Sequence, residues 1–449
     1  MATVTRKTGL RFWTVLHLIV YLSALAVACR SENEAAPSTI EPDSTATAAS
    51  SPTPSGTPPP AAAIVEPVPP DQVVDESMGG TPAPNPGIFV ADTTTGQILK
   101  VRVPGAGRAA FEAGLPDGRM LIGAEGVTYL LDMDAGGTLT ALWRDESAES
   151  LFPSPSGKLI ARMIHADKPF LVLYSVDEGK ELARTGVAVG ANWVSWAPDE
   201  AHLAYMEPHP DPNHYAISLM SLDKPDEKVM LDEVLDAPFP AAWMADSRTV
   251  LFAVGGDLKR WDTETGERDL LFQWPGGNIR GVSLSPDERY VLLTGHEWVG
   301  QGSVSMAIIS PLGRKEGVKV TSAFLASWSP AENTVLMIAN ACTDSHELWL
   351  MGPDGDLRSK VDTSTHPDYA RWSSDGTRIM YETSYAPPEQ WGVTIAKVAD
   401  GHESIVIRIP VVHQTTWWSP NGRWIAFRPH AAGICEMSPS QMSQILPIP

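Results

Sequence analysis

Eight times along this 449-residue chain the same short punctuation returns, at intervals of 39 to 47 residues. The copies are Leu115-Pro116-Asp117-Gly118, Ser154-Pro155-Ser156-Gly157, Ala197-Pro198-Asp199-Glu200, Met244-Ala245-Asp246-Ser247, Ser285-Pro286-Asp287-Glu288, Ser329-Pro330-Ala331-Glu332, Ser373-Ser374-Asp375-Gly376 and Ser419-Pro420-Asn421-Gly422. Proline presets φ at the second turn position, Asp or Asn bonds its own backbone, and glycine accepts a positive φ. Between turns lie short apolar runs without sustained 3.6-residue periodicity, so the segments read as strands. A period near 43 residues is the length of one four-stranded propeller blade.

Trp196, Trp243, Trp328, Trp372 and Trp418 stand just before their turns. Large rings at the end of an inner strand can pack between neighbouring blades, so these five are expected in the core. Apolar strands follow the turns, for example Leu203-Ala204-Tyr205 and Ile379-Met380-Tyr381. The expected fold is all-β: a single β-propeller of four-stranded antiparallel blades over residues 88–449, with eight blades counted and seven the alternative. Ile88 to Val103 reads as an outer hairpin without an inner pair, and Trp418 to Phe427 as an inner pair with only a short tail. Together they would complete one blade and close the ring. The repeat resembles those of the TolB propeller family, of WD-like repeats and of dipeptidyl-peptidase propeller domains, over residues 88 to about 437. That resemblance implies a fold, because the shared motif is structural.

The N-terminus has the order of a signal peptide over residues 1–28: Arg6, Lys7 and Arg11, then an uncharged apolar run from Phe12 to Ala28. Ala26-Val27-Ala28-Cys29 resembles a bacterial lipobox, although Leu25 sits one position further from the cysteine than usual. Cys29 is therefore the expected lipidation site, with ordinary cleavage or an uncleaved anchor as alternatives. Each reading places the remainder outside the cytoplasm, bound to the membrane in the lipidated case. Residues 29–87 are dominated by Pro, Ser, Thr and Ala and read as a disordered linker, a spacer reaching on the order of 100 to 170 Å. The other two cysteines, Cys342 and Cys435, fall two blades apart and are expected as unpaired thiols.

Formal charge is −21, from 33 basic and 54 acidic residues, and the mature chain has no basic cluster longer than a pair. Nucleic-acid partners are excluded on that ground. Alternation of strand direction puts second-to-third loops and blade-to-blade connections on one face, with the Pro-Asp-Gly turns on the other. On that rule His165, His209, His214, His296, His346 and His430 fall in second-to-third loops, and His366 and His413 in blade connections. Asp167, Asp211, Glu297, Trp298, Asp344, Tyr385 and Glu389 accompany them. This set is the expected recognition face, weighed against the plainer reading that long exposed loops collect polar residues.

Glu207 to His214, with two imidazoles and a carboxylate close together, is the best metal candidate, but it lacks a recognised ligand spacing, and no metal or cofactor is assigned. Gly105-Ala106-Gly107-Arg108-Ala109-Ala110 mimics a dinucleotide fingerprint without the helix that such a site needs. His296-Glu297 and His402-Glu403 lack the second histidine of a metalloprotease helix, and no Gly-x-Ser-x-Gly elbow is present. The leading expectation is a monomeric, non-enzymatic scaffold that binds a protein, peptide or glycan of the cell envelope. The alternative is a propeller enzyme, a lyase or glycan hydrolase, with carboxylates or a metal at the central channel.

Overall fold

The computed structural model describes residues 61–69 and 88–427, apart from short stretches of which 188–192, 340–346, 362–366, 384–391, 398–407 and 410–416 are the longest. The described residues contain strands and turns and no helix. Eight antiparallel sheets follow one another as blades: 110–144, 149–186, 194–234, 239–273, 277–321, 323–361, 367–409, and an eighth made of 417–427 with 88–102. In the first seven, the four blade strands run in chain order from the innermost outward; in the eighth the order is 417–418, 424–427, 88–92, 98–102. The eighth blade joins the chain's two ends, as its half-blades predict: Ile88–Asp92 pairs with Trp424–Phe427 in the register Phe89 to Phe427 through Asp92 to Trp424.

The second strand of each blade is the core. Leu203, Ala204, Tyr205 and Met206 are at most 1% exposed, and Val250 to Ala253 and Leu336 to Ile338 are equally covered. Such strands are apolar along their length because blades press on both of their faces, and each fully buried Leu or Ile contributes about 1.5–3 kcal/mol.

The recurring turn explains its own composition. Its serine is buried, and the hydroxyl accepts a backbone N–H five residues on: Leu159 to Ser154 at 3.1 Å, Tyr290 to Ser285 at 3.0 Å, Trp424 to Ser419 at 2.8 Å. The Asp accepts the amide two residues on, as Asp199 does from Ala201 at 2.9 Å and Asp375 from Thr377 at 3.0 Å. Four turns end in glycine at positive φ, whereas Glu200, Ser247 and Glu288 hold φ of 60°, 55° and 56° with a side chain. Those three side chains reach the turn of the preceding blade: Glu200 accepts from Ser156, Ser247 from the Asp199 amide at 3.0 Å, and Glu288 from the Ala245 amide. A contact between blades thus offsets the local backbone cost.

The repeat tryptophans do the same at the inner strands. The indole N–H of Trp196 donates to the Phe152 carbonyl at 2.9 Å, Trp243 to Ser195 at 3.2 Å, Trp328 to Ser283 at 3.4 Å and Trp372 to Ser327 at 3.3 Å, each one blade back. Four of the five are at most 9% exposed, while Trp372 is only half-buried. The expectation of a fully buried ring fails there. Trp418, in the closing blade, instead donates to Gly422 in its own turn at 3.0 Å.

One departure lies in the expected spacer. Ala61–Ala62 and Ile64–Val68 are strands, the first added outside blade 1 and the second outside blade 8. Within residues 29–87 this segment is ordered on the propeller, and the description as disordered linker is corrected for it. Its half-buried Ala63, Val65 and Val68 find partners only because distant strands offer an edge. Residues 1–60, including Cys29 and the signal segment, and both Cys342 and Cys435 lie outside the described residues.

Glu288→Ala removes the inter-blade acceptor and keeps a side chain at positive φ, whereas Glu288→Gly removes the acceptor and relieves the backbone. Urea titration is expected to show Glu288→Ala destabilised by about 1–2 kcal/mol and Glu288→Gly by about 1 kcal/mol less. Equal losses would show that the turn carries no backbone cost.

Candidate functional site

The face opposite the Pro-Asp-Gly turns carries the loops between second and third strands. His165 directly follows the strand Leu159–Ile164, and its Nε2 lies 2.9 Å from the Ser150 hydroxyl of the innermost strand. His209, Asp211 and His214 share the loop after His202–Pro208 and come together there. The two rings stand 5.3 Å apart, the Asp211 carboxylate lies 3.0 Å from His214 Nδ1, and the Asp211 amide donates to His209 Nδ1 at 3.1 Å. Two imidazoles and a carboxylate at the rim of one blade form a polar cluster that can donate and accept hydrogen bonds. Among the described residues no group of three or more His, Cys, Asp or Glu is arranged to hold a metal ion.

His296, Glu297 and Trp298 lie in a strand and not in a loop, which corrects their placement. Blade 5 extends Tyr290–Val299 and Gly302–Pro311 to ten residues each, so this hairpin is longer than those of its neighbours. Gly295 lets the strand pass close to the Asn278 carbonyl, where a Cβ would stand 2.1 Å from it. Alternation then separates the side chains. His296 faces solvent, while Glu297 turns to the blade, accepting from Trp274 Nε1 at 3.3 Å and Lys319 Nζ at 3.4 Å. Surrounding protein and then the charge of Arg280 hold the His296 imidazole below its ordinary value. Asp344, His346, Tyr385, Glu389 and His430 lie outside the described residues, as do His366 and His413.

Charged residues absent from the expected set lie on or beside the innermost strands. Arg162 is 7% exposed, stacks over Trp143 at 4.2 Å, and is lowered to about 10 by burial. Glu112, on the innermost strand of blade 1, accepts from Thr128 at 3.1 Å, and desolvation raises its carboxyl despite the opposing pull of Thr128 and Arg162. In blade 7 Arg371 is pushed down by burial and lifted by Glu382, a carboxylate 5% exposed. The charge of Arg162 thus opposes the rise at Glu112, and that of Glu382 opposes the fall at Arg371. The readable signal is a charge inside an otherwise apolar second strand, as in Leu159-Ile160-Ala161-Arg162-Met163-Ile164 and Arg378-Ile379-Met380-Tyr381-Glu382.

The chain is similar in fold to solved propellers. TolB from Acinetobacter baumannii matches with 17% identity and a TM-score of 0.37, covering 63% of this chain and 65% of that one. A prolyl endopeptidase matches with 14% identity and a TM-score of 0.49, over 71% of this chain and 53% of the peptidase. The C-terminal WD40 domain of Sif2 matches with 12% identity and a TM-score of 0.48, over 71% and 93%. No protein-family model matches the chain, and no curated protein does. The propeller assignment rests on the sheet order itself.

Because the His296 imidazole is neutral in the fold where a free one would begin to charge, unfolding takes up a proton as pH falls below 6.5. This residue's contribution to stability is therefore lost as pH drops from 6.5 through the depressed value. Arg280→Gln is expected to move the His296 midpoint, followed by NMR, part of the way back toward 6.5. An unchanged midpoint would assign the whole effect to burial.

Proposed function

We propose that this chain is an extracytoplasmic, lipid-anchored binding scaffold that recognises a protein, peptide or glycan of the cell envelope through the face bearing its second-to-third loops. One contrast carries the reading. On the turn face the polar groups are engaged by neighbouring blades, through Glu200, Ser247, Glu288 and the Asn333 amide, which donates to Asp287 at 2.7 Å. On the other face the His209–Asp211–His214 cluster and the long blade 5 hairpin present imidazoles at the rim, with His296 exposed. Partly exposed imidazoles and carboxylates at the rim of a blade can both donate and accept hydrogen bonds. The low net basicity favours a neutral or cationic partner over a polyanion.

The membrane part of the proposal rests on the order of residues 1–29: basic residues, an apolar run and a cysteine after small residues. Cys29→Ala is expected to abolish labelling by a clickable fatty acid and to shift the propeller out of the membrane fraction. Retention of both would rule out the lipid anchor.

For the recognition face, the triple variant His209→Ala, His214→Ala, His296→Ala is compared with Glu264→Ala on the turn face, after cross-linking in intact envelopes. The triple variant is expected to lose a specific adduct about tenfold or more, equivalent to at least about 1.4 kcal/mol, while Glu264→Ala keeps it. Equal adduct yields from two folded variants would overturn the face assignment.

A further inference from the structure

Eight residues of the upstream segment, Ala61 to Val68, cross from the outer edge of one blade to that of the next. Ala61 and Ala62 pair antiparallel with Leu139 and Thr138 of blade 1, and Ile64 to Val68 pair with Arg102 to Ile98 of blade 8. Between the two strands the Ala63 amide donates to the Gly137 carbonyl at 2.8 Å. The backbone of this strap is thus read continuously by two neighbouring sheets.

Its side chains are read as well. Val65 packs on the apolar cluster that contains Val101, Val103 and Leu139, and Val68 on the one that contains Phe89, Ile98 and Phe427. Glu66 forms an ion pair with Arg102. Gly137 holds φ of +81°, and a Cβ there would stand 2.7 Å from Cγ2 of Val65. In the equivalent outer turns of blades 8, 2 and 4 the positive-φ Gly96, Gly179 and Gly266 are followed by Gln97, Lys180 and Glu267. Blade 1 has a second glycine where those blades carry a long side chain, and the valine occupies the space. Pro67 sits in the outermost strand, where a proline discourages the addition of a further strand.

The connection to the propeller does not force this placement. Nineteen residues separate Val68 from Ile88, enough for roughly 60 Å when extended, whereas strands flanking one common neighbour are only about 10 Å apart. Contacts hold the strap, not a short leash.

We infer that the adjoining outer edges of blades 8 and 1 form a peptide-binding site that recognises an extended segment by strand addition, and that residues 61–68 are its resident, displaceable occupant. Its ligand class is a small-residue start, then an apolar pair with valine second, an acid, a proline and an apolar residue. Tethering gives the resident segment an effective concentration on the order of millimolar, so a free peptide of the same sequence competes only when the resident is out.

The test uses the full chain and a fluorescent peptide of residues 60–69. Val65→Asp places a carboxylate against the apolar cluster and is expected to release the strap, so that this variant binds the peptide while the wild type does not. Adding Gly137→Val to Val65→Asp fills the valine site and is expected to weaken peptide binding about tenfold or more. A Val65→Asp chain that keeps the propeller's melting transition and binds no peptide would overturn the inference. Hydrogen exchange on the unaltered chain tests the same contact independently: the Ala63 amide is expected to exchange at least about tenfold slower than in the free peptide, and Gly137→Val to remove that protection. Exchange at the free-peptide rate in the wild type would equally sink it.

Discussion

The structure depends on one antiparallel contact, that of Phe89–Asp92 with Trp424–Phe427, because it completes the eighth blade from the chain's two ends. Everything about this pairing is long-range. The Thr93 hydroxyl donates to the Gly422 carbonyl at 2.7 Å, the Arg423 guanidinium reaches Asp92 at 3.2 Å, and Phe89 stacks on Phe427 with centroids 5.9 Å apart. Residues 331 positions apart meet in the ion pair, so a large loop-closure entropy opposes closure until the whole blade docks. Asp92 shows how local chemistry supports it: burial would raise its carboxyl, but Thr94 and then Arg423 outweigh burial and hold it low. Its support is present above 3.8 and fades as pH falls below that value.

Closure fixes the two faces, and the faces differ in how their polar groups are satisfied. On the turn side, side chains reach backward by one blade, so neighbouring turns bind one another. On the loop side, polar residues are held mostly within a blade, as in the His209–Asp211–His214 cluster and the bond between His165 and Ser150. A face stitched to itself is rigid and chemically quiet, whereas a face organised blade by blade can vary its loops without disturbing the ring. Blade 5 uses that freedom, lengthening one hairpin while its inner half keeps the common register.

What the amino-acid order disclosed follows from the range of the interactions involved. The turns, the second strands and the split eighth blade were legible because each is written in a local pattern: serine, proline, Asp and Gly in order, then an apolar run. His209 and His214 were placed on the right loop for the same reason. His296 was not, because lengthening a hairpin is decided by pairing between two strands, and nothing local distinguishes a loop from a prolonged β-ladder. The strap was missed for a stronger reason. Ala61 to Val68 sits among prolines and alanines, and its order comes from Gly137 and Arg102, neither of which is near it in the chain.

Where the ring closes, the repeat departs from its pattern in a way that the packing explains. Gly114 stands where five of the eight repeats carry the pre-turn tryptophan, and a Cβ there would fall 1.8 Å from Nε1 of Trp417. The indole that fills the space between blades 8 and 1 therefore comes from the closing blade, and it packs near Phe111 with centroids 6.1 Å apart. Trp418 beside it bonds within its own turn, with Arg378 of the preceding blade over its ring at 5.2 Å. A perfectly regular repeat would place two large rings at this seam and leave no room for Trp417. Loss of the tryptophan at position 114 and its supply from 417 are one substitution of volume, made across the junction that joins the chain's ends.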